Sequence, residues 1–280
     1  SPYLAGWIYA LGIAWDAVTD PFMGYLAERT SSPRGRYRPY ILFGTIPLAL
    51  SFVLLFWVPP LEGLSLFLCL VVINVFHRTC FTIVSVPYSS LTPRITSDSE
   101  ERTKLTTARM IGASFGTLLM SSLGFPIINF FGQNNESLGI IYLSFIAASI
   151  AVVILFITYG SVKESSTEEI KEAYPSVSQL ILSILKNYPF WIVFSSILIL
   201  GSTTIMFNKN LIYYIKYALD LHSYQGLVLG LSGLSSFASI PFWSYVSLKI
   251  GKRNTWQISM SLLLLAFALF YFYQINSLQE

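Results

Sequence analysis

Asp16 and Asp20 lie four residues apart inside an apolar stretch at about 5–27, long enough at ~1.5 Å per residue to cross the ~30 Å hydrocarbon core of a bilayer. An uncompensated carboxylate at that depth costs at least ~2.5 kcal/mol, so acids there face polar cavities and mark ion or proton paths. The i, i+4 spacing stacks the two side chains on one helix face. Stacked carboxylates can hold a small hard cation, which prefers oxygen ligands. Alternatively, basic residues on neighbouring helices neutralise them. Few basic residues lie at matching depth, which favours the cation.

Composition agrees with a membrane location. Hydrophobic residues make up 54% and charged residues 11%, and mean hydropathy is +0.62; a water-soluble domain carries about a quarter charged residues. Aromatics, at 16%, cluster at segment ends as interfacial belts do. The opening residues read as helix rather than as a cleavable signal peptide. Cys69 and Cys80 fall in one apolar segment, against a disulfide framework. A net charge of +3 spread over short loops does not resemble a nucleic-acid surface. No Gly-rich nucleotide loop is present, which argues against an ATP-driven pump.

Hydropathy predicts about eight all-α spans, near 5–28, 40–58, 64–92, 104–126, 138–160, 188–217, 224–248 and 254–275. The connections alternate in charge. Arg29, Arg34, Arg36 and Arg38 follow the first span, and Arg94, Arg102 and Lys104 the third. Lys163, Lys171 and Lys186 follow the fifth, and Lys249, Lys252 and Arg253 the seventh. The intervening loops hold Glu62 and Glu136 instead. Basic loops face the cytoplasm, so the first span runs from outside to inside. Between 164 and 189 a polar, Glu-rich part gives way to Val177, Leu180, Ile181, Ile184 and Leu185 at helical spacing. That suits a short helix on the membrane surface or an ordinary solvated linker.

A repeat sets the architecture. Pro21-Phe22-Met23-Gly24-Tyr25-Leu26 lines up with Pro241-Phe242-Trp243-Ser244-Tyr245-Val246, and each run leads into a basic loop. Six helices separate the copies, as in the two parallel halves of a major-facilitator transporter. On that template the chain holds helices II to IX, about eight of twelve. Residues 1–160 form an N-terminal bundle, 161–187 a central cytoplasmic loop, and 188–280 the start of a C-terminal bundle. Helix I and helices X to XII lie outside the sequence.

Trp15-Asp16-Ala17-Val18-Thr19-Asp20-Pro21-Phe22-Met23-Gly24 and Arg34-Gly35-Arg36-Tyr37-Arg38-Pro39 resemble the signature of the glycoside–pentoside–hexuronide:cation symporters, the melibiose-carrier family. Val86-Pro87-Tyr88-Ser89-Ser90-Leu91-Thr92, Glu101-Arg102 with Arg109, and Lys186-Asn187 with Pro189-Phe190 agree. So do Tyr213-Tyr214 with Lys216-Tyr217, and Gly251-Lys252-Arg253. The resemblance implies that Asp16, Thr19, Asp20 and Thr82 coordinate Na⁺. It implies that Arg109 and the position of Ser85 line the solute path, and Tyr88 and Arg78 are read as further substrate-binding candidates. Ser85 replaces the acid that holds the sugar in the melibiose carrier, and Ser89 an aromatic, which speaks against galactoside recognition. Gly24, Glu28, Gly35, Arg36 and Arg38 look like the loop that latches the two halves on the cytoplasmic side.

Other readings stay open on the residues alone. Arg109 can snorkel to the interface, and Thr82 can bond its own helix backbone. Arg78, beside His77, can bind solute, balance Asp16, or pair structurally with another acid. Lys209 can snorkel outward. Asn135-Glu136-Ser137 is a glycosylation triplet in an outward loop.

These features predict a monomeric, multi-pass protein of the plasma (inner) membrane that is not an enzyme. It would use Na⁺, or else H⁺ or Li⁺, to drive symport of a sugar or glycoside. Its partners would be the small-molecule solute, the cation and the bilayer, with no cofactor. The alternatives are a sodium-dependent lysolipid transporter and a non-transporting membrane receptor with this fold.

Overall fold

A computed structural model describes residues 2–96, 98–133, 135–162, 164, 177–213 and 225–277. Among the described residues every regular element is a helix. In order the helices are α1 (Pro2–Arg29), α2 (Arg38–Leu55), α3 (Gly63–Ile95), α4 (Ser99–Gly132), α5 (Glu136–Ser161), α6 (Val177–Lys186), α7 (Tyr188–Tyr213), α8 (Gln225–Ile250) and α9 (Lys252–Ser277). Eight are long, and they fall on the eight segments expected from hydropathy. α6 occupies the amphipathic interval before α7. The motif residues 214–217 and the Lys209 side chain lie outside the described residues.

Local chemistry sets the helix starts. Pro39 sits in the first turn of α2, where its missing N–H costs nothing. The Asp98 carboxylate accepts from the Glu101 N–H at 3.1 Å and caps α4. Asn135 does the same for α5 through the Leu138 N–H at 3.2 Å.

Two compact units are formed, Ser1–Ser166 with Ile240–Glu280, and Thr167–Ser239. In the first, α3 packs against α1 and α2, and α5 against α2 and α4. Met23, Ala27, Tyr37, Ile41 and Leu91 form a buried cluster at the basic end, joining α1, α2 and α3. Tyr88, Tyr159 and Val162 pack on it. Elsewhere large apolar side chains point outward, among them Phe43, Leu64, Val153 and Leu264. A helix surface of that kind is stable against lipid tails, and helices satisfy their own backbone there.

Five helices are long and apolar enough to cross a membrane, or six if the bent pair Ser99–Gly124 and Pro126–Gly132 is one span. Eight spans were expected. α1 has the length, at 28 residues, but Asp16, Thr19 and Asp20 lower its apolarity. α8, at 26 residues, also carries polar residues, with Ser232, Ser235, Ser236, Ser239 and Ser244. These two helices carry the sequence repeat, with Pro21 and Pro241 each about two and a half turns from the C-terminal end. Matching polarity in matching positions is what helices lining an aqueous interior require.

Candidate functional site

α1 and α3 meet along stripes spaced by four residues. Gly12 abuts Asn74, Asp16 pairs with Arg78, Asp20 accepts from Thr82, and Gly24 touches Val86. Each pair is 62 residues apart, so the helices run parallel in a fixed register. The spacing that stacks the acids on α1 also stacks their partners on α3.

The two acids have different partners. Asp16 forms an ion pair with the Arg78 guanidinium, with side chains 29% and 19% exposed respectively. Arg78 Nε donates to Asn74 Oδ1 at 3.2 Å, and the guanidinium carbon lies 5.5 Å from the Tyr9 ring centre. Asp20 is exposed, and its Oδ1 accepts from the buried Thr82 hydroxyl at 2.7 Å. Thr82 therefore bonds the acid on α1 rather than its own backbone. Thr19 does bond its own helix, donating to the Trp15 carbonyl at 3.0 Å. Trp15 Nε1 reaches across to Thr79 Oγ1 at 2.9 Å.

Arg78 is thus placed to balance the Asp16 charge. His77, next in sequence, faces α2 instead, with Nδ1 3.1 Å from the Ser51 hydroxyl. Ser85 is half-buried, and Tyr88 packs on the buried cluster. Arg109 is exposed on α4 and has no polar partner among the described residues.

The loop residues gather at the basic end. Glu28 accepts from Arg36 at 3.2 Å, from Arg94 at 2.5 Å and from the Tyr37 hydroxyl. The Tyr37 pKa is pushed up to about 12, first by burial and then by the Glu28 carboxylate. Arg38 donates to the Tyr159 carbonyl at 2.7 and 3.3 Å and lies 4.7 Å from that ring's centre.

Sequence reasoning missed Glu164, which it treated as part of a polar linker. Its carboxylate accepts from the backbone N–H groups of Arg36, Tyr37 and Arg38 at 2.7, 2.8 and 2.9 Å. An acid there satisfies unpaired amides at the start of α2 and complements the helix dipole. Gly35 makes this possible. Its φ is +102°, and a Cβ there would lie 2.7 Å from Glu164 Oε1. A glycine in a basic loop just before a helix-starting proline was the available signal.

Chemically, α1 and α3 offer carboxylate and hydroxyl oxygens beside a guanidinium, about midway along both helices. Among the described residues no three His, Cys, Asp or Glu come together. Such a donor set suits a monovalent cation better than a divalent one, which recruits several carboxylates.

A family model described as MFS/sugar transport protein matches residues 1–279. The chain belongs to that family. As an MFS/sugar transport protein it is an all-α, multi-pass integral membrane protein. It is 28% identical over 217 residues to the Putative glycoside/cation symporter YagG of Escherichia coli (strain K12), covering 78% of this chain and 47% of that protein. It is 28% identical over 267 residues to the Isoprimeverose transporter of Lactiplantibacillus pentosus, covering 94% and 55%. It is 27% identical over 307 residues to the Sodium-dependent lysophosphatidylcholine symporter 1-A of Danio rerio, covering 95% and 57%. The chain spans about half the length of these relatives, and none of the three is named as an enzyme.

Proposed function

We propose that this MFS/sugar transport protein is the cation-binding part of a secondary active symporter, in which Na⁺, or else Li⁺ or H⁺, drives entry of a sugar or glycoside. The observation that carries the reading is the exposed Asp20 carboxylate bonded only to Thr82 among the described residues, beside an Asp16 that has its own counter-ion. A lone carboxylate at membrane depth is costly, and a bound cation removes that cost. Cation binding thereby favours the helix arrangement that also binds solute, and the two halves of such a transporter rock about the site. The basic loops face the cytoplasm of the plasma (inner) membrane, and the protein works as a monomer.

On the solute side, Arg109 offers a guanidinium with no polar partner among the described residues, with Ser85 and Tyr88 along α3. The names of the Escherichia coli and Lactiplantibacillus relatives favour a glycoside. A lysolipid is the second reading. It is favoured by the Danio rerio relative's name and by small serines at 85 and 89, which leave room for a larger amphiphile.

Uptake into liposomes by the protein expressed from its complete gene, under imposed Na⁺, Li⁺ or H⁺ gradients, tests this. Labelled glycosides and lysophosphatidylcholine are offered in parallel. Gradient-driven, saturable uptake of either identifies the solute class. Uptake indifferent to every cation gradient would remove the symport reading.

A further inference from the structure

Arg78 is held by three neighbours. It pairs with Asp16, donates to Asn74 and lies near the Tyr9 ring. Gly12 is buried against it, and a Cβ there would lie 2.7 Å from Arg78 Cδ, so only glycine leaves space for the guanidinium. Asp20, one turn further along α1, has no such cation among the described residues, where its partner is the neutral Thr82 hydroxyl.

We propose that Arg78 is a tethered counter-ion that fixes the valence of the site. Asp16 stays with Arg78, and the site takes one monovalent cation on Asp20 with the Thr82 and Thr19 hydroxyl oxygens. This rests on the cation-coupled reading above and changes its ligand set, because Asp16 becomes a positioning residue. Two bare carboxylates on adjacent turns would carry two negative charges and suit a divalent ion or two monovalent ones. With the guanidinium in place the net charge is a single negative one. Each hydroxyl donates one hydrogen bond and keeps oxygen lone pairs for an ion.

Asp16→Asn and the double variant Asp16→Asn/Arg78→Gln separate this from a site in which both acids bind the ion. Equilibrium binding of Na⁺, Li⁺ and H⁺ is measured in turn on the purified protein expressed from its complete gene, with thermal unfolding of each variant as a control for folding. D16N strands a positive charge beside Asp20. Losing one negative charge about 6 Å away at an effective dielectric near 20 weakens cation binding about a hundredfold, or ~2.8 kcal/mol. D16N/R78Q removes both charges and leaves Asp20 alone. It should bind within about threefold of the unmodified protein, with a Hill coefficient near 1, since the net charge at the site is unchanged. A folded double variant that binds as weakly as D16N would make Asp16 a direct ligand and overturn the proposal. Failure of the unmodified protein to bind any of the three cations would instead remove the cation-coupled reading, and this inference with it.

Discussion

Replacing Gly35 with alanine tests the contact between Glu164 and the start of α2. Two costs arise. A residue with a Cβ at φ +102° is strained by about 1–2 kcal/mol. The new methyl would also lie 2.7 Å from Glu164 Oε1 and 2.8 Å from the carboxylate carbon. Ordinary contact requires a shift of roughly 0.7 Å or more. A shift of that size takes the three N–H contacts, now 2.7, 2.8 and 2.9 Å, to the weak edge of hydrogen bonding. Loss of a helix cap adds about 1 kcal/mol. G35A should therefore lose about 2–3 kcal/mol of stability. Glu164→Gln keeps an acceptor and gives up only the charge, about 0.3–1 kcal/mol. The assay is thermal unfolding of purified protein in detergent, and the double variant G35A/E164A decides the cause. With the carboxylate gone, the alanine has nothing to strike, so G35A should cost only its backbone strain in that background. An equal cost for G35A with and without Glu164 would refute the steric reasoning.

Asp20→Asn should abolish cation-stimulated uptake while leaving expression near normal; uptake that keeps its cation dependence would show that the ion binds elsewhere. Thr82→Val removes the hydroxyl that bonds Asp20 and should weaken cation binding about tenfold, the effect of losing roughly 1.4 kcal/mol, whereas Thr82→Ser should retain it. Single cysteines at Ser32 and Gln133 should label from opposite sides of the membrane, and labelling from the same side would overturn the topology. Because folding raises the Tyr37 pKa from 10.0 to about 12, the folded state binds the proton more tightly, so that stability is fully present below pH 10 and is lost as pH rises from about 10 through about 12. Alkaline unfolding curves of Tyr37→Phe should lack that decline.

Hydropathy made most of the helices legible, because a segment that faces lipid is apolar along its whole length. α1 and α8 were read in the same way despite their polar residues, and the Pro21 and Pro241 repeat tied the two together. Asp16, Asp20 and Thr82 stood out because polar groups are rare in such segments. Which partner each takes was not legible. Arg78 and Asp16 are 62 residues apart, and only the register of α1 against α3 decides whether the guanidinium meets that acid or another. Nor did the motif around Tyr88 announce that this residue packs on the buried cluster. Glu164 was hidden more deeply, since it caps amides 126 to 128 residues earlier and no local pattern announces such a bond.

The constant offset between α1 and α3 divides the chain into lengths that are free to vary and lengths that are not. A residue gained or lost in the turn at 56–62 leaves the seam in place, whereas one in 30–37 leaves the seam but disturbs the Glu28 and Glu164 contacts. The same change inside 13–15 or 75–77 would rotate everything beyond it by about 100°. Asp16 and Asp20, or Arg78 and Thr82, would then swing off the shared face together. Natural insertions and deletions in proteins built on this seam should therefore fall in its turns, and be absent between Gly12 and Gly24 and between Asn74 and Val86.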